Sequence, residues 1–117
     1  MLKKFRCYQL AVKFYKQCEL IRCQRHLKDQ LLRASLAVPL NLAEGSERVT
    51  DRDRRRFYRI SMSSLRECQA ILDLVPVTQE VEAARCLADE LGGGIFKLCK
   101  SIQPPAGRAI PQTEAGS

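Results

Sequence analysis

The chain lacks most of the residue patterns that support catalysis or metal binding. It has no tryptophan and a single histidine, His26, and no two of its six cysteines are spaced Cys-x-x-Cys. A zinc site of the usual spacing is therefore not expected. The carboxylates of Asp89 and Glu90 are adjacent in sequence, so on a helix they splay apart. No catalytic residue, metal ligand or cofactor is predicted, and an enzyme is the weakest functional hypothesis.

Long apolar runs are also missing, and none approaches the length that crosses a membrane. The N-terminal sequence MLKKFRC returns to polar residues before an apolar core develops, so no signal peptide is expected. Cys68 and Cys99 fall in apolar stripes, where a free thiol behaves as a small hydrophobic group. These features predict a reduced, cytoplasmic protein with no membrane partner.

The composition favours one helical, basic domain. Of the 117 residues 45% are hydrophobic and 28% charged, and β-branched and aromatic residues are sparse beside Leu, Ala, Arg and Glu. The net charge of +7 favours an anionic partner, with nucleic acid first and an acidic membrane second. The alternative is that the charge only keeps a small protein in solution.

Apolar residues recur at three- and four-residue steps, which predicts amphipathic helices. The first helix spans about residues 2 to 24, and the second, at 30–45, is apolar almost all the way round. Pro39 predicts a kink inside the second helix, and Gly45 is placed to end it in the left-handed conformation. The buried row of the first helix is predicted as Phe5, Tyr8, Ala11, Val12, Tyr15 and Cys18, widened by Leu10, Phe14 and Ile21.

Two further helices follow in the second half of the chain. Thr50 or Asp51 can cap the third, which Pro76 stops, and Thr78 can cap the fourth. The fourth is predicted to be interrupted, with a bend or a flat contact face, at Gly92, Gly93 and Gly94. Four helices with short connections predict an up-down-up-down bundle over residues 1–103. The remainder, 104–117, is predicted to be a disordered tail.

The middle of the chain resembles a known family. Gln30-Leu31, Arg33 and the run Asn41-Leu42-Ala43-Glu44-Gly45, preceded by Pro39, are similar to the motif of small four-helix bundle proteins encoded in intervening sequences of bacterial 23S ribosomal RNA genes. Phe57, Ser64 and Glu67 follow in the family's order. Ala37 departs from the pattern, which has serine there.

The resemblance implies a non-enzymatic bundle that assembles into a ring, commonly a homopentamer. It also implies a relation in fold to the accessory variability determinant of diversity-generating retroelements, a basic pentamer that binds a reverse transcriptase and its template RNA. We predict structural roles for Pro39, Asn41, Glu44 and Gly45. Gly92, Gly93 and Gly94 are predicted to lie at a close contact with another helix or subunit.

The bundle topology gathers positive charge at one end, where the first helix starts, the third follows the second, and the fourth ends. We predict that this end binds nucleic acid, RNA most of all, because arginines on one helical face suit a phosphate backbone. A solvated arginine face partly paired with Asp51 and Asp53 is the alternative. The predicted binding residues are Lys3, Lys4, Arg48, Arg52, Arg54, Arg55, Arg56, Arg59, Lys97 and Lys100.

Two functional hypotheses follow. The first is a ring-forming nucleic-acid-binding scaffold or accessory factor. The second is a retroelement accessory subunit whose main partner is a reverse transcriptase with its template RNA. A neighbouring reverse-transcriptase gene would favour the second hypothesis, and a location inside a ribosomal RNA gene would favour the first.

Overall fold

The computed structural model describes residues 2–102, with side chains from Lys4 onward. These residues form four α-helices and no strand, which confirms the all-α prediction. The predicted domain boundary at residue 103, the predicted tail at 104–117 and the side chain of Lys3 lie outside the described residues. The helices are α1 Leu2–Glu19, α2 Arg25–Ser46, α3 Asp51–Leu72 and α4 Gln79–Ser101.

Each helix packs against two others, so that α1, α2, α3 and α4 follow one another around a common core. The end of α1 meets the start of α4, where Gln17 Nε2 donates to the Glu80 carbonyl at 3.1 Å. The start of α3 meets the end of α4, where Arg55 Nη1 donates to the Ile102 carbonyl at 3.1 Å. Because contacts join opposite ends and the connections are short, neighbouring helices run antiparallel.

The buried face of α1 differs from the predicted one. Ala11, Phe14 and Cys18 are buried as predicted, but Phe5 and Tyr8 are 58% and 40% exposed, and Cys7 belongs to the core. The prediction counted the two aromatic residues as buried and left out the small Cys7. Small residues here allow close helix contact: a Cβ added at Gly94 of α4 would lie 3.3 Å from Cys7 Sγ.

Pro39 is buried in the interior of α2. Two polar side chains donate hydrogen bonds to the backbone carbonyls of the two residues before it. Asn41 Nδ2 donates to the Ala37 carbonyl at 2.8 Å. Ser61 Oγ of α3 donates to the Val38 carbonyl at 2.8 Å, from a fully buried position. Pro39 has no N–H to donate to the Ser35 carbonyl four residues earlier. The two side-chain bonds go to the carbonyls just before Pro39, and the one from Ser61 ties α3 to this turn of α2.

Gly45 does not end α2 in a left-handed conformation, and that prediction is wrong. The helix continues to Ser46, and Gly45 is a buried helical residue. A Cβ at this position would lie 2.7 Å from Cε1 and 2.9 Å from Cδ1 of the Tyr58 ring. Glycine is therefore needed here because the fully buried ring of Tyr58 packs directly on the α2 backbone.

The three glycines of α4 do not interrupt it, since the helix is continuous from Gln79 to Ser101. Added Cβ atoms would lie 3.6 Å from Leu65 Cδ2 at Gly92, but would meet nothing within 4 Å at Gly93. Gly92 thus faces α3 and Gly94 faces α1 within the chain. Gly93 points outward, and its contact with another subunit stays a prediction.

Candidate nucleic-acid interface

A capping residue and two acidic residues stabilise the first turn of α3. The start of the helix sets the positions of the arginines that follow. The Thr50 side chain accepts a hydrogen bond from the Asp53 backbone N–H at 3.1 Å. Asp51 and Asp53 place negative charge in the first turn, which the helix dipole favours.

The predicted arginine row on α3 forms one surface feature. Arg52, Arg55, Arg56 and Arg59 line a shallow groove, which we call the arginine groove. Ile60 and Ser63 complete its lining. Steps of three and four residues place these side chains on the same side of the helix.

Arg54 lies in the first turn of α3, but its side chain contacts the turn that joins α2 to α3 and does not line the groove. Its Nη1 donates to the carbonyls of Arg48 at 2.7 Å and Val49 at 3.2 Å. Its Nη2 also pairs with Asp51 Oδ1 at 2.6 Å. All three interactions close the turn, so Arg54 has a structural role, and its binding role stays a prediction.

Arg55 lines the groove but is also partly committed to the fold. Its Nη1 donates to the Ile102 carbonyl at 3.1 Å, which ties the start of α3 to the end of α4. Arg55 is therefore half-buried, whereas Arg52, Arg56 and Arg59 are exposed.

Phe57 organises two other predicted arginines. The guanidinium carbons of Arg48 and Arg56 lie 4.9 Å and 4.5 Å from the centroid of its ring. Arg48 also forms a salt bridge with Glu44. Stacking on an aromatic ring leaves the N–H edge of a guanidinium able to bind phosphate. The sequence analysis noted Phe57 for its place in the family's order and predicted no contact with arginine; the adjacent pair Arg56-Phe57 was the available signal.

Arg52 and Arg59 form no salt bridge within residues 2–102, and Arg56 has only its ring contact. The arginine groove therefore contains three guanidinium groups without a neutralising carboxylate. In electrostatic terms it is a site for an anion with several negative charges.

The predicted lysines lie elsewhere. Lys97 lines a second groove between α1 and α4, together with Arg6, Lys13 and the carboxylates of Asp89 and Glu90. Lys4 lies in the first turns of α1 and Lys100 in the last turn of α4. The structure thus separates Lys97 from the arginine groove, in a groove of mixed charge.

Other kinds of site have less support in the described part of the chain. No group of three or more His, Cys, Asp or Glu side chains there could hold a metal ion. All six cysteines are free thiols. None of the four described helices combines the length and hydropathy needed to span a membrane.

Fold and surface together define a small basic four-helix protein with an arginine-lined groove on one helix. Comparison with known families is specific: the profile of the 23S rRNA-intervening sequence protein family matches residues 3–90. The chain belongs to this family. No curated protein matches it.

Proposed function

We propose that this protein is a non-enzymatic factor that binds nucleic acid, RNA in preference to DNA, as a scaffold or accessory subunit. The observation that carries the proposal is the arginine groove, where Arg52, Arg56 and Arg59 lack carboxylate partners among the described residues. Guanidinium groups on one helical face suit successive phosphates. The family is named for the 23S rRNA intervening sequences that encode its members, which is compatible with a nucleic-acid-related role.

The proposal includes assembly into a ring-shaped homo-oligomer, a pentamer by family resemblance. Its support is apolar surface that a single chain leaves in water: Phe5 and Tyr8 on α1, and Leu36 and Leu40 on α2, are 40–58% exposed. Grouped exposed apolar side chains mark protein contacts more often than isolated ones do. A ring would repeat the arginine groove around its circumference, and one RNA strand could then engage several copies.

The test replaces Arg52, Arg56 and Arg59 with Gln and leaves Arg55 in place because it braces α4. Fluorescence anisotropy of a labelled single-stranded RNA is measured at several salt concentrations. Each lost phosphate contact should reduce the logarithmic salt slope by about 0.7. The triple variant should therefore bind at least about tenfold more weakly at low salt, with a slope about 2 units smaller.

The matched control removes the same charge elsewhere, with Arg22, Arg25 and Arg33 replaced by Gln. All three are exposed and lie outside the arginine groove. This control should bind almost as the wild type does. Sedimentation of the same samples reports the assembly state. Equal binding by the two triple variants, or no RNA binding by the wild type at low salt, would contradict the proposal.

A further inference from the structure

One large aromatic side chain near the arginine groove has no role in the core. Phe96 on α4 is 59% exposed, although its neighbour Ile95 is fully buried. An exposed ring is unremarkable alone, but beside charged groups it can hold the apolar part of a ligand. The surroundings of Phe96 therefore decide which ligand it suits.

Phe96 lies on the side of α4 that packs against α3. Gly92, Phe96 and Cys99 are four and three residues apart, so they share one helical face. At one end of this row, a Cβ at Gly92 would lie 3.7 Å from Arg66 Nη1 of α3. This face therefore borders α3 at the level of Arg66.

The other end of the row lies beside the arginine groove. Burial raises the pKa of the Cys99 thiol, and the positive charge of nearby Arg59 opposes that rise. On α3, Ser63 lies four residues after Arg59 and three before Arg66, and it lines the groove. Because the two helices are antiparallel, this register places Phe96 level with Ser63, beside the α3 residues that line the arginine groove but not among them.

This arrangement joins a phosphate-binding row to an apolar ring. From Arg52 to Ser63, eleven residues at 1.5 Å each span about 16 Å. At one phosphate per 3.4 Å, that length matches about five nucleotides of a stacked strand. In a duplex the base faces are covered by neighbouring pairs, whereas unpaired bases can stack on aromatic side chains.

We propose that Phe96 is a base-stacking position at the edge of the arginine groove, so that this surface selects an unpaired RNA strand over a duplex. The proposal rests on the nucleic-acid function proposed above. The arginines supply affinity for phosphate in either form of RNA, and Phe96 supplies the preference for exposed bases.

The test uses the full chain, a fluorescein-labelled oligoadenylate and a labelled RNA duplex of the same length. Phe96→Ala should weaken binding of the single strand by about 5- to 150-fold, the range for loss of one base–aromatic stack. Duplex affinity should change less than about twofold, and the salt slope should not change, since no phosphate contact is removed. Phe96→Tyr should retain single-strand binding. Leu20→Ala, an exposed apolar change just after α1 and at the opposite end of the bundle from Phe96, is the matched control.

A second readout comes from the absence of tryptophan in the chain. Phe96→Trp introduces one fluorophore at the proposed position. The single strand should quench its emission on binding because the base stacks on the indole, and the duplex should not.

The outcomes separate the two proposals. If Phe96→Ala binds the single strand as the wild type does, while the arginine variant does not, stacking is wrong and the proposed function stands. If the wild type binds neither RNA, both proposals fail. Full binding by Phe96→Leu, which keeps apolar area without a ring, also overturns stacking. If every Phe96 variant that loses RNA binding also changes its sedimentation, Phe96 is a subunit contact. This result would overturn the stacking proposal as well.

Discussion

The two ends of the bundle use basic side chains in the same way to complete the fold. At the end with the α1–α2 and α3–α4 connections, Lys28 Nζ donates to the Glu19 carbonyl at 2.9 Å. Arg85 Nη2 donates to the Leu72 carbonyl at 3.1 Å. The last carbonyls of a helix have no partner within it and carry partial negative charge, so a cation is a favourable cap. Arg85 is then neutralised by Asp73 at 3.1 Å.

The basic end is the one where α1 begins, α2 leads into α3 and α4 ends. It differs because it has further arginines besides those that bind backbone carbonyls at its helix ends. Arg54 and Arg55 bind carbonyls just after α2 and α4, whereas Lys28 and Arg85 bind the last carbonyls of α1 and α3 at the other end. Arg52, Arg56 and Arg59 are additional and have no carboxylate partner in the described part of the chain. Counting charges by position locates the basic end but cannot separate arginines that cap helices from arginines that can bind a ligand.

The largest effect is expected at Gly45, where the Tyr58 ring of α3 packs on the α2 backbone at the basic end. Gly45→Ala places a methyl group 2.7 Å from the buried Tyr58 ring, so the ring or the helix must shift. Overpacking of this kind costs about 1–3 kcal/mol. We expect the free energy of unfolding, measured by urea denaturation, to fall by about 2 kcal/mol.

The control is the same substitution on α4. Gly93→Ala meets nothing within 4 Å, and a helical Ala is about 1 kcal/mol better than Gly, so this variant should be more stable than the wild type. If Gly45→Ala were also stabilising, the close contact with Tyr58 would not be what requires glycine at that position.

A smaller effect should distinguish the two kinds of arginine at the basic end. Arg54→Ala removes two hydrogen bonds to backbone carbonyls and one ion pair from a side chain that is 26% exposed. We expect unfolding free energy to fall by about 1–2 kcal/mol. Arg52→Ala, two residues earlier, should change it by less than about 0.5 kcal/mol. Thermal or urea denaturation of the two variants measures the difference. Equal losses would mean that Arg52 also supports the fold.

The sequence predicts the helices of this fold better than their faces. Periodicity located four helices because each buries an apolar stripe. It placed the large Phe5 in the buried face of α1 and left out the small Cys7, because burial here follows the fit between helices. Gly45 was assigned a backbone role because a glycine near a helix end usually has one. Its actual neighbour, Tyr58, is distant in sequence.

The candidate site shows the same limit. The common face of Arg52, Arg55, Arg56 and Arg59 follows from helical spacing alone. The carbonyl that Arg55 binds belongs to Ile102, at the end of another helix, and its position depends on tertiary packing. The position of Phe96 level with Ser63 likewise depends on how α3 and α4 are aligned along their lengths, which the sequence alone does not give.

The smallest effect concerns buried thiols at the two ends of α1. Burial raises the pKa of Cys7 to about 11, with a smaller contribution from Cys99, and raises that of Cys18 to about 12. In the unfolded chain a thiol ionises near its ordinary value of about 8.5. Above that pH the unfolded state loses protons that the folded state keeps, so stability falls as pH rises until the folded-state pKa is reached. Each thiol should cost roughly 1 kcal/mol between about pH 7.5 and 9.5.

Urea denaturation at both pH values measures this loss in the wild type and in Cys7→Ala, Cys18→Ala and Cys86→Ala. Removal of either buried thiol should reduce the alkaline loss by the same amount, because both folded-state pKa values lie well above the higher pH. Cys86 is exposed, so its variant should lose stability as the wild type does. A smaller reduction for Cys7→Ala than for Cys18→Ala would show that the positive charge of the basic end reaches into the core and favours the Cys7 thiolate. Identical pH dependence in all four proteins would show that neither thiol is held neutral by burial.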